Sequence, residues 1–575
     1  MKFLAATLAA FGLLANAQNG EVNRPKDHDS KIAVVGGGIA GIYSAYKLSK
    51  LGYKEITVFE KSARLGGKAQ SLRMSGHHID LGTLHWLSAS YDWIFATAEE
   101  LNLPMYGYVF EDTFFDVYYA QIPLPAEMHE AFGESMTFID FLRHPVLKGE
   151  EQMLAKLDIY RAKYNEYFTF SSDQYDFPDL TTDAQMAVLG NMTYAEWFVQ
   201  NDLMDLYPLG FFCTVFFLYG FPETLTAYHS LYLAHPGIME MVITRNYATY
   251  LPYAGYQGFV ETMALDQQLH VIYNANIQKI VRKNANSNQC PNGGCVSITY
   301  KTKAMGEPAT EKFDFLVNAI HPMYYNKKAF KVTNKESRFF DPKRWETNRL
   351  TLNVGHPNEK NRDSNMHKRP YTRYSEGQLK GLHTKYDVIL CLNRKIFIPQ
   401  GQLVRNDTGS GADCATHTAW NYDKRMPDWL NCYTEKFNVP LTQEGQSNGV
   451  SDNEGWNPEV ATDLDFVTMD DKDLHMEPRD IQYQHEREYL NRYNFENTAA
   501  AYPTKLFRYN LENNRNTWFV GSYVSFENMG RIADQIELLL ERSGVKEKVV
   551  ERPNFKDKFF AGPIMNLAPG HDGLH

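Results

Sequence analysis

Short apolar runs that stop at glycine or at a charge, each followed by a helical period, organise the ends of this chain. Lys31-Ile-Ala-Val-Val35 is continuously apolar after its first residue, as expected of a strand buried on both faces. It ends in Gly36-Gly-Gly38-Ile39-Ala40-Gly41, and the chain then turns helical through Tyr43, Ala45 and Leu48. A second run, Ile56-Thr-Val-Phe59, stops at Glu60, and Arg64-Leu-Gly66-Gly67-Lys68 follows within a turn. Val271-Ile-Tyr273 reads as a strand, and Phe313 to Ile320 as one buried strand returning to the same sheet. Asn516-Thr-Trp-Phe-Val520 is a strand ending at Gly521, with a helix from about Arg531 to Arg542. Between these ends, Glu151–Tyr167 and Tyr194–Leu203 carry helical periods, and Phe211 to Phe221 is a dense apolar patch. Residues from about 330 to 495 are polar and read as loop-rich.

The glycine spacing after the first run has a chemical meaning. Gly36 permits the tight strand-to-helix turn, Gly38 lets backbone approach a pyrophosphate, and Gly41 lets the helix pack close to the sheet. Free N–H groups at the helix start, around Ile39 and Ala40, suit phosphate. Glu60 stands about 20 residues downstream, where a carboxylate can accept from a ribose hydroxyl. Lys61, Arg64, Lys68 and the pair Gly66–Gly67 add cations and a close-approach glycine pair beside the phosphate site, with Ser71 beyond. The pattern predicts dinucleotide binding.

Composition narrows the class. The 575 residues suit two domains. A net charge of −11 and a pI near 5.9 speak against a nucleic-acid surface. Lys2, the apolar Phe3–Leu14 and Ala15-Asn-Ala17 have the form of a signal peptide over residues 1–17, with a linker over 18–30. No later run is apolar enough for an integral membrane span. A secreted or luminal chain is therefore expected. Cys290 and Cys295 flank the turn of a predicted hairpin, a plausible disulfide, and Cys414 with Cys432 could form another. No zinc or other metal site is expected. Asn191-Met-Thr193 and Asn406-Asp-Thr408 are glycosylation sequons. Aromatic residues reach 14%, and Phe216, Phe221, Tyr228, Tyr247 and Tyr250 are candidates for an apolar pocket as well as for ordinary core.

Taken with His78-Ile-Asp80-Leu-Gly82-Thr83, the glycine fingerprint resembles that of the flavin-containing amine oxidase superfamily. The resemblance implies an α/β fold: a Rossmann-like (GR2-type) FAD-binding domain with a discontinuous substrate or cap domain and non-covalent FAD. It assigns residues 31–94, 251–329 and 496–545 to the FAD-binding domain, 95–250 and 330–495 to the cap, and 546–575 to a tail. It also places Gly82 and Thr83 beside the cofactor and Ile277 where backbone contacts adenine. Gly521, Ser522, Asn528, Met529 and Gly530 fall along the ribityl chain and pyrimidine edge, where a helix start stabilises negative charge on reduced flavin. The family has an acid where this chain has Ser522.

Ser90-Tyr-Asp92, the Thr214–Tyr228 segment and Ser525-Phe-x-Asn528 are similar to FAD-dependent polyenoic fatty acid isomerases. Such enzymes move a hydride from a bis-allylic carbon to flavin N5 and return it elsewhere, shifting a double bond into conjugation. Their carboxylate-holding Arg has no counterpart here, because Leu101 to Leu142 contains neither Lys nor Arg; Arg245 is a substitute candidate. The rival expectation is an amine or amino-acid oxidase releasing hydrogen peroxide, with Tyr502 as one wall of an aromatic pair. Covalent flavin through His85 stays open beside a plain hydrogen-bonding role, while His77 and His78 read as strand-edge residues. A secreted binding protein on a flavin fold is a third expectation. The partner expected is a small apolar substrate, and the oligomeric state is unassigned.

Overall fold

The computed structural model describes residues 23–74, 77–80, 86–87, 90–103, 105–109, 121–123, 135–137, 149–211, 213–214, 222, 225–244, 248–252, 254–283, 295–320, 329–330, 332–333, 336, 340, 345–355, 371–374, 388–394, 429–440, 481–493, 515–526, 528–549 and 551–553.

Five short strands build the central sheet: β1 (Ile32–Val35), β2 (Ile56–Phe59), β3 (His270–Ile272), β4 (Phe315–Asn318) and β5 (Thr517–Phe519). All run parallel in the order β3-β2-β1-β4-β5, with Ile32 opposite both Ile56 and Phe315. This is the doubly-wound order, in which the chain reverses direction at β1 and leaves a crevice beyond the strands' C-terminal ends. Every residue of β1 is fully buried, which is why that run carries no polar position. Helix α1 (Ile39–Lys50) follows β1, α2 is Asp92–Glu100, α3 Glu150–Tyr167, α4 Gly255–Asp266 and α5 Met529–Arg542. The first and last helices are joined where the Tyr43 hydroxyl donates to Glu537 Oε1 at 2.7 Å and Lys47 stands 3.2 Å from the same oxygen. Burial would push the Glu537 carboxyl up, but Lys47 and Lys546 outweigh it and hold it below the usual range.

The single strand expected over 313–320 is two strands in different sheets. Ala309–Phe313 belongs to an antiparallel sheet with Asn276–Arg282 and Val296–Lys301, and β4 starts one residue later. Asp314 separates them, because its carboxylate accepts the Lys31 N–H at 2.9 Å instead of continuing a ladder. The segment expected to be loop-rich contains a five-stranded antiparallel sheet of Trp345–Gly355, Tyr371–Tyr374, Val388–Arg394, Trp429–Pro440 and Ile481–Tyr493. Alternations such as Leu350-Thr-Leu-Asn-Val354 carry it. In that sheet Cys432 lies in register with Cys391, while Cys414 lies outside the described residues. Cys295 is disulfide-bonded, and Cys290 is not described.

Residues 23–30 pack on the domain: Trp518 Nε1 donates to the Asn23 carbonyl at 2.6 Å, and Arg24 to that of Gly544 at 2.9 Å. Between α2 and α4, α3 packs with short helices at Asp183–Gly190, Tyr194–Gln200, Tyr207–Phe211, Ala227–Leu233 and Pro236–Ile243. Sequon residue Asn191 is exposed, and its partner Thr193 caps the next helix by accepting the Glu196 N–H. Among the described residues no helix is long and apolar enough to cross a membrane.

Candidate functional site

The first βα turn is made of backbone. Gly36 has φ +106°, a region that L side chains rarely adopt, and a Cβ on Gly41 would lie 1.9 Å from the Gly36 carbonyl oxygen. A Cβ on Gly38 would meet the Gly66 carbonyl oxygen and the Gly67 Cα at 3.8 Å each, an ordinary van der Waals contact, so the second glycine pair lies directly over this turn. Gly38 caps α1 without a side chain, the first turn holds no acid, and Lys47 and Lys50 sit in the last. The helix dipole is thus arranged to favour an anion at Gly38–Ala40. The second glycine pair folds back onto this turn, where the Gly66 N–H donates to the Gly37 carbonyl at 2.9 Å.

Glu60 leaves β2 and is nearly buried. One carboxylate oxygen accepts the Gly37 N–H at 2.7 Å, and the other accepts the Ser62 N–H and hydroxyl, each at 2.8 Å. A carboxylate offers about four acceptor positions, so one remains for a ribose hydroxyl. Arg64, expected as a cation beside the phosphate site, braces its own loop: it donates to the Gly67 carbonyl at 3.2 Å and to Gln70 Oε1 at 2.7 Å. A tight glycine pair leaves carbonyls that need donors, and the nearest long cation satisfies them. Lys61 and Lys68 stay partly exposed on the same loop. Ser71 is tied to the start of α4 through reciprocal 3.1 Å bonds with Gln257. Ile277 lies two residues past Ala275, whose N–H donates to the Glu60 carbonyl at 2.8 Å, and a bulge follows it at Ile277–Lys279.

At the opposite side of the crevice, Gly521 follows β5 and faces Ala40, whose Cβ is 3.4 Å from the position of a Gly521 Cβ. The start of α1 and the closing motif are therefore neighbours. Ser522 opens a one-turn helix, Ser522–Ser525, and stays partly exposed while Tyr523, Val524 and Ser525 are buried. Asn528 then caps α5 by accepting the Arg531 N–H at 3.1 Å, which starts the helix at Met529, two residues before the expected Arg531. Gly530 packs on the Ser90 carbonyl so closely that a Cβ would lie 1.8 Å from it. Helix Ala227–Leu233 also reaches this loop: His229 stacks on Phe526 at 5.8 Å, and Tyr232 meets the same ring edge-on at 6.2 Å. Ser90, helix Ala227–Leu233 and the turn from Phe526 to Gly530 thus converge.

Beneath this junction lies an ionic cluster that sequence reading missed. The Arg531 side chain is buried in the first turn of α5 and pairs with Asp176, donates to the Tyr232 carbonyl at 3.1 Å and lies 4.7 Å over the Tyr232 ring. Arg552 bonds Asp92 at 2.7 Å and approaches Asp534 to 3.3 Å. His235 stands 3.5 Å from Asp176. Burial pushes the Asp534 carboxyl up to about 7 and His235 down to about 4. Burial also acts upward on Asp176, but Arg531, His235 and Arg552 hold it below the usual carboxylate range. These partners come from four distant stretches, so no local pattern announces them. The one available signal is Arg531 itself, a cation at the wrong end of a helix dipole.

Of the expected pocket residues, Tyr228 is buried and stacks on Tyr232 at 6.1 Å. Tyr250 lies on the strand Ala248–Pro252, in register with Trp86 and Gly107. Phe216, Phe221, Tyr247, Tyr502, Gly82, Thr83, His85 and Arg245 lie outside the described residues. His77 and His78 form a hairpin strand opposite Met74 and Arg73. Among the described residues no group of His, Cys, Asp and Glu could hold a metal ion.

Residues 34–101 match the NAD(P)-binding Rossmann-like domain. A 4,4'-diapophytoene desaturase (4,4'-diaponeurosporene-forming) of Staphylococcus aureus is 25% identical over 177 residues, 30% of this chain and 34% of the relative. The chain thus spans about a third of the length of that curated relative. Among solved structures, a CLA-producing fatty acid isomerase from P. acnes superposes with TM-score 0.56 at 15% identity, covering 90% of this chain and 99% of the other. Putrescine oxidase superposes at 0.51 and 12% identity, covering 90% and 98%. Sheet order, glycine turn and these neighbours together give the chain a Rossmann-like domain within the fold shared by the fatty acid isomerase and putrescine oxidase.

Proposed function

We propose that this chain is an FAD-dependent enzyme acting on an apolar unsaturated substrate, with double-bond isomerisation of a polyunsaturated fatty acid or related lipid as its reaction. The observation that carries the reading is the meeting of the two halves of the crevice. The backbone anion site of α1 lies against Gly521, and the closing loop beyond it is walled by the aromatic helix Ala227–Leu233.

The residues present fit a bound dinucleotide. The turn at Gly36–Gly41 is bare backbone, the start of α1 carries no acid, and Glu60 keeps acceptor capacity. When bound, FAD supplies a hydride acceptor and donor at N5. Gly38, Ile39 and Ala40 would hold the pyrophosphate, Glu60 the ribose, and Ile277 the adenine edge. Ser522, Asn528 and Met529 would present polar backbone to the far ring, where the start of α5 favours negative charge. Tyr228 and the buried rings around it exclude water and favour a hydrocarbon, at about 0.8 kcal/mol per buried methylene. Two similar proteins support the substrate class: one neighbour is a fatty acid isomerase, and the desaturase relative forms diaponeurosporene. The leader pattern at residues 1–17 supports an exported setting; without a pyridine-nucleotide pool there, returning the hydride to the substrate would close the cycle.

Purified protein loaded with FAD and mixed anaerobically with a polyunsaturated fatty acid should develop a conjugated diene or triene ultraviolet band over many turnovers. Absence of that band overturns the isomerase. The fold shared with putrescine oxidase keeps an oxidase as the second reading, for which hydrogen peroxide would form once oxygen is admitted.

A further inference from the structure

We propose that Phe526 is a positioning residue: its strained backbone and its ring on the aromatic helix together set the first turn of α5 against the far ring of the bound dinucleotide. The proposal rests on the FAD reading above. Phe526 has φ +72° and ψ 171°, a conformation that is essentially glycine's alone. Any other residue persists there only where its surroundings over-determine it. Those surroundings are specific.

Just before it, the Ser525 hydroxyl donates to the Gly521 carbonyl at 3.1 Å, and the Val524 and Ser525 N–H groups reach the same oxygen at 2.8 and 3.0 Å. Two residues after it, Asn528 caps α5. The ring itself is buried, stacked on His229 with 28° between planes and edge-on to Tyr232 at 88°. A glycine would satisfy this backbone without strain, so what the phenylalanine adds is the ring. That ring is the lever through which helix Ala227–Leu233, which also carries Tyr228, fixes where Asn528, Met529 and Gly530 point. Arg531, three residues beyond the cap, is held from the same helix by the Tyr232 carbonyl. Two independent grips from one cap helix therefore converge on one helical turn.

The test compares Phe526→Gly, Phe526→Leu and His229→Ala with the wild type in two assays. Amide hydrogen exchange across residues 529–534 is read in cofactor-free protein, and FAD titration with visible circular dichroism is read in loaded protein. Phe526→Gly relieves the backbone but frees the turn, so exchange should quicken at least tenfold, FAD should bind at least tenfold more weakly, and the flavin dichroism should change. Phe526→Leu keeps bulk without the stack and should fall between. His229→Ala removes the other half of the stack and should reproduce the exchange change, which keeps the test open if Phe526→Gly does not fold. A merely structural ring would lower the thermal midpoint while leaving exchange, affinity and dichroism as in the wild type, and that result overturns the proposal. If the wild type takes up no FAD, the cofactor reading fails on its own, and exchange in the cofactor-free variants still decides whether Phe526 sets α5.

Discussion

At the start of α1 the geometry is set by backbone sterics, whereas at the start of α5 it is set by side chains gathered from across the chain. The first turn needs about thirty consecutive residues, Ile32 to Glu60, and its fine structure is sterics: what a Cβ would strike, and which N–H is left free. The second needs Ser90, Asp176, His229, Tyr232, His235 and Arg552 to arrive together. The backbone end should be most sensitive to added size at its glycines. The side-chain end tolerates neither the loss of one ion nor that of its partner.

Removing Arg531 should have the largest effect. Arg531→Ala leaves Asp176 buried without its main counter-ion, and about 3–5 kcal/mol of stability should be lost in urea unfolding. Unchanged stability would mean that the cluster is not what holds this end. Gly41→Ala comes next: its methyl would strike the Gly36 carbonyl, costing about 1–3 kcal/mol, and FAD affinity should fall further than stability does. Equal losses in both would mean the turn is only structural. Glu60→Gln is smaller. An amide in place of one oxygen opposes either the Gly37 or the Ser62 donor, so dinucleotide affinity should drop about tenfold with little change in fold, measured by titration.

The smallest effect is in pH dependence. Asp534 titrates near 7 in the folded chain against an ordinary 3.8, so the folded state keeps a proton that the unfolded state has lost. Stability therefore falls as pH rises from about 4 to about 7. His235, near 4 against 6.5, acts in the opposite sense: the unfolded state binds the extra proton, and stability rises from about 4 to about 6.5. The two offset below pH 6.5, and the Asp534 loss stands alone above it. Asp534→Asn should remove that loss and unmask the rise due to His235 in thermal melts taken across pH 4–8. A profile unchanged by the substitution would remove Asp534 from this account.

The comparison also explains what could be read in advance. The glycine turn, β2 with Glu60 and the parallel strands are local and periodic, so they were legible residue by residue. The bonds of Arg64 to the Gly67 carbonyl and Gln70 were not legible, because a cation beside a phosphate site and a cation bracing its own loop look alike in sequence. The break at Asp314 and the pairing order of the sheet beyond residue 345 depend on which neighbour each segment finds, although alternations such as Leu350 to Val354 did mark its strands locally. Arg531 and Phe526 were passed over for the same reason. One sits against the helix dipole and the other in glycine's backbone region, and both are tolerable only because of residues that are hundreds of positions away.

The sheet order carries a consequence for biosynthesis. β4 pairs with β5, about two hundred residues later in the chain, and Tyr43 near the beginning is bonded to Glu537 near the end. A nascent chain emerging from the ribosome can form β1, its turn and β2 early, but β1 gains β4 only once residue 318 has been made, and the outer edge of β4 stays open until residue 519. The apolar faces of β1 and α1 then wait through most of translation for their covering. Such long-range closure makes for slow maturation. The demand on chaperones should be greatest in the interval before α5 docks.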